Sequence, residues 1–187
     1  VALNSSVGGT TFTWIVAQSN VSGGSDCASS CGSSIAQSLS NVNGTSNGTA
    51  TYTVTPTTAS CTGATFNATI TVRPKPVATP SNATPEICGG TGPGLSLSST
   101  VSGTSYTWTV TQAGVTGGSN CSSSCGSSIN QTLNASGIVA GTATYTVTPT
   151  ASSCAGSTAT VVVTVNPKPT ATITPSSQSI GSESTTS

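Results

Sequence analysis

Apolar and polar residues alternate with a period of two along several stretches of the chain, the pattern of half-buried β-strands. From Ser105, "SYTWTVTQ" places Tyr106, Trp108 and Val110 on one face and Thr107, Thr109 and Thr111 on the other. From Gly141, "GTATYTVTPT" turns Ala143, Tyr145 and Val147 inward and Thr144, Thr146 and Thr148 outward. "STATVVVTVNP" offers Ala159, Val161, Val163 and Val165 as a core side, and shorter strands are expected at Leu95 and Leu97 and at Ile129, Gln131 and Leu133. Each strand thus has one core face and one face of hydroxyls.

The same pattern occurs twice. Trp14 aligns with Trp108, Cys27 with Cys121, Cys31 with Cys125 and Leu39 with Leu133, at a spacing of 94 residues. After a one-residue gap near Asn43 the spacing is 93, and Tyr52 aligns with Tyr145, Pro56 with Pro149 and Cys61 with Cys154. A period this long suits tandem domains, each closing its own core, better than a solenoid. Pro-Lys-Pro at 74–76 and 167–169 follows the last strand of each repeat and reads as a short, stiff linker. The expected domains are residues 1–76, a repeat lacking its opening stretch; 77–169, a complete repeat; and 170–187, the start of a third or a tail, with Ile180 aligned to Ile87. The chain reads as a piece cut from a longer array.

Strands of this length between Gly, Ser and Asn turns, with a tryptophan on an early central strand, predict an all-β fold: tandem immunoglobulin-like Greek-key sandwiches of about seven strands each. The expected core includes Trp14, Trp108, Tyr52, Tyr145, Val147 and Val163. An array of such units would form a rod.

Composition narrows the chemistry. Roughly two residues in five are Ser or Thr, while the chain has three Lys/Arg, three Asp/Glu and no histidine. So few cations exclude the electrostatic term that nucleic acid or anionic lipid requires. No apolar run approaches the ~20 residues of a membrane helix, so membrane insertion is not expected. Seven cysteines without histidine point to disulfides in an oxidising, extracellular compartment. Cys27 with Cys31 and Cys121 with Cys125 form two small loops that rigidify a Ser/Gly-rich connection or present a tip for contact. Cys88 is paired with Cys154 as a clamp across the second repeat, closing a loop of 67 residues. Cys61, the counterpart of Cys154, is left unpaired, and the tail has Gly181 where Cys88 would stand.

Catalytic constellations are missing. Ser, Thr and Cys nucleophiles need a base, and Asp26, Glu86 and Glu183 are too scattered for paired-carboxylate hydrolysis or for calcium. No metal or other cofactor is expected, and Lys75 and Lys168 lie in linkers, away from any internal cross-link. "GGTGPG" from Gly89 lacks the Lys-Ser/Thr of a phosphate loop and reads as a turn. Asn-x-Ser/Thr sequons at Asn4, Asn43, Asn47, Asn67, Asn82 and Asn134 are frequent in so Asn-, Ser- and Thr-rich a chain; glycan on them or on the Thr faces would cover the hydroxyl surface.

In "VSGTSYTWTVTQAGVTGG", "SGIVAGTATYTVTPTASSCAG", "VTVNPKP" and "EICGG" at Glu86 the chain resembles the PKD-like repeats of giant secreted surface proteins of Bacteroidota. The resemblance covers nearly the whole chain in two phased copies; the loop at Cys121 and Cys125 departs from it, since many such repeats carry a cysteine-free loop there. It implies a non-enzymatic spacer in a large adhesin or cell-surface filament of a Gram-negative bacterium, exported by the type IX route and acting in attachment or gliding. Its partners would be neighbouring repeats of the same chain and other copies in a filament, with the surface or glycan ligand undetermined. Two other functions remain open: a carbohydrate-binding accessory module of a secreted enzyme, which needs Trp14 and Trp108 exposed, and an ice-binding repeat, which needs flat Thr ladders at Thr51, Thr53 and Thr55 and at Thr144, Thr146 and Thr148.

Overall fold

Threonine and other β-branched residues at alternating positions favour extended backbone, and among the described residues of the computed structural model the regular elements are all β-strands. It describes residues 1–29, 31–123, 125–174, 177, 179 and 181. Ile180, on which the reading of the tail relied, and Glu183, one of the three scattered acids, lie outside them.

The first repeat contains β1 (Thr11–Ser19), β2 (Val21–Ser22), β3 (Ser40–Asn41), β4 (Gly48–Thr57) and β5 (Phe66–Val72). The second contains β6 (Thr79–Pro80), β7 (Glu86–Cys88), β8 (Leu95–Ser98), β9 (Ser105–Ala113), β10 (Val115–Thr116), β11 (Ser128–Ile129), β12 (Asn134–Ala135), β13 (Gly141–Ala151), β14 (Cys154–Ala155) and β15 (Ala159–Asn166).

In the second repeat β13 is the spine of the larger sheet. β9 runs antiparallel along one edge, β14 and β15 along the other, and β7 joins β15 in parallel. The opposing layer is β6–β8–β11, with the small pair β10–β12 beside it. Two packed layers with a parallel pairing of opening and closing strands make an immunoglobulin-type sandwich, as the alternation predicts. The first repeat repeats the spine as β1–β4–β5. Its register is the same: Trp14 faces Val54 across the ladder as Trp108 faces Val147. Across from that spine lie the bridge between Ala2 and Ser34, at the place of β8–β11, and the small pair β2–β3, at the place of β10–β12.

Each repeat has its own core. Tyr145, Val147, Val161, Val163, Val165, Ile129 and Leu133 are fully buried in the second, and Tyr52, Val54 and Ala50 in the first. Fully burying one side chain of this kind is worth about 1.5–3 kcal/mol, so these inward rows supply the main stabilisation in a chain with almost no charge. Turn chemistry fixes the loops around them. Gly117, at φ +102°, passes so close to the Thr132 carbonyl that a Cβ would lie 2.1 Å from its oxygen; Gly23 repeats this against Ser38.

The linker is not free. Pro76 is fully buried, and Val77 bridges to Ser157 of the second repeat. Gly156 leaves room for it, since a Cβ there would meet the Pro76 carbonyl oxygen at 1.7 Å. By contrast, Lys168 and Pro169 of the second Pro-Lys-Pro segment are exposed.

Candidate functional site

Two places in each repeat carry more than packing: the small cystine loop and the end that meets its neighbour. Both loops close as expected, Cys27 to Cys31 with Cα atoms 5.8 Å apart and Cys121 to Cys125 at 5.7 Å, within the normal range. Each loop is sewn to the sheet where it starts. Trp108 and Cys121 exchange both backbone hydrogen bonds, at 2.9 Å each, as Trp14 and Cys27 do in the first repeat. The indole Nε1 of Trp108 donates to the Ser119 carbonyl at 3.3 Å, and that of Trp14 to Ser25 at 3.1 Å.

A glutamine anchors the same segment from below. Gln131 Oε1 accepts from the Ser119 amide at 2.8 Å and from the Tyr145 hydroxyl at 2.9 Å, while its Nε2 donates to the Ser119 carbonyl and hydroxyl at 2.9 and 2.8 Å. Gln37 makes the same four bonds with Ser25 and Tyr52. Gln112 and Gln18 bracket Gly118 and Gly24 with a donor and an acceptor each. Alternation placed Gln131 inward but could not show this network; the trace it left is a glutamine at a core-facing position in both copies. Burial raises the hydroxyl pKa of Tyr145, Tyr52 and Tyr106 above the ordinary 10, because the charged phenolate would lose its solvation.

The two acidic residues among the described ones, Asp26 and Glu86, are occupied structurally. Asp26 accepts the Val16 amide at 2.7 Å, and at the matching place Asn120 accepts Val110 at 2.8 Å. An amide does the same work, so the carboxylate is there as an acceptor. Glu86 Oε1 accepts from the Asn166 side chain at 2.7 Å. Among the described residues no group of three His, Cys, Asp or Glu is placed to hold a metal.

Trp14 and Trp108 are each 6% exposed and offer no aromatic platform for a sugar. The Thr rows lie on the outer face in register, Thr144 beside Thr111, Thr146 beside Thr109 and Thr148 beside Thr107. In the first repeat Ile15 interrupts that face opposite Thr53 and is 63% exposed. Asn67 stands on Thr53's other side and accepts its hydroxyl at 2.9 Å.

The clamp between Cys88 and Cys154 is corrected by the topology. Both are free thiols, as is Cys61, which is exposed. Cys88 pairs with Asn166, next to Val165, whose partner is Gly141 at the start of β13; Cys154 pairs with Ala151 at its end. At about 3.3 Å per residue the length of β13 separates them by roughly 30 Å, far beyond the ~7 Å limit for bridged Cα atoms. The two cysteines mark opposite ends of the sandwich.

Those ends meet at the junction between repeats. The Arg73 guanidinium donates to the Ser152 carbonyl at 2.7 Å, and the Thr100 hydroxyl to the Gly44 carbonyl at 3.4 Å. Ser152 and Ser153 form the β13–β14 turn with φ of 48° and 66°, the left-handed geometry of a primed hairpin. At the far end of the second repeat Ile138 and Val139 stand 95% and 72% exposed.

No helix among the described residues is long and apolar enough to cross a membrane, and the two cystines are compatible with an oxidising compartment. No curated protein matches the chain well enough to count as a relative. The family model described as PKD-like domain matches residues 1–76 and 85–169.

Proposed function

Since the chain belongs to the PKD-like domain family, we propose that it is a structural repeat module of a large extracellular adhesin or cell-surface filament, a stalk unit without catalytic activity. The observation that carries this reading is the junction: the linker proline is buried, Val77 directly after it bridges to Ser157 of the second sandwich, and Arg73 before it grips that sandwich's turn. A linker used in this way sets the relative position of successive units, as a stalk requires and a freely tethered accessory module does not. The exposed Ile138 and Val139 at the opposite end fit a head-to-tail contact that repeats along an array. Attachment or gliding at the surface of a Gram-negative bacterium of the Bacteroidota, with export by the type IX route, extends this reading from the resemblance of the repeats. The partners are neighbouring repeats and, in a filament, other copies; the surface or glycan ligand belongs to a distal region.

In-frame deletion of these two repeats from the full surface protein tests it. The cells should display a shorter extension by electron microscopy while the distal region still binds its ligand. Unchanged extension length, or loss of ligand binding with the distal region intact, would refute the stalk role.

A further inference from the structure

One edge of the first repeat is open. Along the end of β5 and the residue after it, from Ile70 to Arg73, runs a groove of about 830 Å³ whose other walls include Leu39 and, from the second repeat, Cys154. In the second repeat the same place is filled. β7 lies along β15, the Gly90 amide donates to the Leu133 carbonyl at 2.8 Å, and Thr91 bridges to Leu133, the counterpart of Leu39. Under that cover Val163 and Val165 are fully buried, whereas their counterparts Ile70 and Val72 are only partly so.

We propose that this edge takes a strand of the β7 kind, and that the cysteine it carries at the Cys88 position bonds Cys154, closing the junction between the two repeats with a disulfide. The register supports the pairing. Cys88 stands opposite Asn166, and the counterpart of Asn166 is Arg73, whose guanidinium reaches Ser152, two residues from Cys154. A strand docked in the open slot in the β7 register therefore brings its cysteine to the wall that Cys154 lines. The three free thiols then have one explanation. Cys154 belongs to the junction within this chain, while Cys61 at the head of the first repeat and Cys88 at the foot of the second are the matching halves of such a junction. This does not depend on the adhesive role.

Oxidation of the two thiols to the disulfide releases two protons and two electrons, taken up by a disulfide oxidant such as oxidised glutathione, which leaves as two thiols. In the test no net oxidation is needed. A peptide of residues 83–92 is supplied as its mixed disulfide with glutathione; the Cys154 thiolate attacks the peptide sulfur, and glutathione departs as the thiol. The protein is used intact, and adducts are located by peptide mapping without reduction. Docking in the slot raises the local concentration, so the adduct on Cys154 should exceed that on the more exposed Cys61 by at least about tenfold. A peptide carrying Ile87→Asp, which spoils the buried side of the strand, should lose that preference. Labelling of Cys61 equal to or above that of Cys154, or equal selectivity from the Ile87→Asp peptide, would overturn the proposal.

Discussion

Gln131→Leu keeps the size of the side chain and removes all four of its hydrogen bonds, so it isolates the polar anchor from packing. The partners do not lose equally. Ser119 is exposed, and its amide, carbonyl and hydroxyl can turn to water. The hydroxyl of Tyr145 cannot, because the residue is fully buried and donates to Gln131. A stranded buried hydroxyl costs about 1–3 kcal/mol, and the looser Ser119 segment adds about 1. The expected loss is therefore about 2–4 kcal/mol in the second repeat. With a urea slope of about 1–3 kcal/mol/M, the midpoint should fall by about 1 M or more. A Trp14→Phe background leaves Trp108 as the fluorophore, so unfolding of the second repeat is followed alone. The double variant Gln131→Leu with Tyr145→Phe supplies a test of sign. Removing both polar partners leaves nothing stranded, so it should be more stable than Gln131→Leu by about 1 kcal/mol. If the double variant is instead the less stable, the hydroxyl was never dependent on Gln131 and the reasoning fails.

Stability should stay level through neutral pH and fall above pH 10. Burial raises the tyrosine pKa in the native state over the ordinary 10, so the unfolded chain loses those protons first and is favoured as pH climbs past that value; urea midpoints at pH 8 and 11 check it, and equal midpoints would contradict it. Gly117→Ala forces a Cβ to 2.1 Å from the Thr132 oxygen at φ +102° and should cost more than about 2 kcal/mol, seen as early melting of the second repeat in calorimetry. Ser153→Gly relieves a left-handed serine and should be neutral to stabilising, by up to about 1 kcal/mol, with clear destabilisation in the same scan counting against the turn assignment. Cys121→Ser with Cys125→Ser opens a five-residue loop and should cost about 2 kcal/mol, while the matching change in the first repeat leaves the melting of the second where it was.

The spines of both sandwiches were legible because a period of two with Tyr145, Val147, Val161 and Val163 on one side has few other solutions once Trp108 and the turns flank it. The two-copy register added a check, since any error in one repeat would have had to recur in the other. The pairing of Cys88 with Cys154 was not legible. Position along the chain says which strand a cysteine is on, but not which end of the sheet it reaches. That depends on β7 running parallel to β15, a non-local fact. The Gln131 anchor was half visible, as an inward position without a partner. The burial of the linker was not legible: proline fixes φ whether it is exposed or buried, and the space made by Gly156 appears only after folding.

The parallel contact of opening and closing strands also decides how the second repeat meets a pull from its two ends. Backbone bonds from Val162 to Ala83 and from Thr164 to Pro85, each 2.9 Å, and from Gly89 to Asn166, 2.8 Å, tie the two strands together. Load entering through one strand and leaving through the other drives them to slide lengthwise, so these bonds share it and must give way as a group. An antiparallel pair loaded at one end would instead unzip bond by bond.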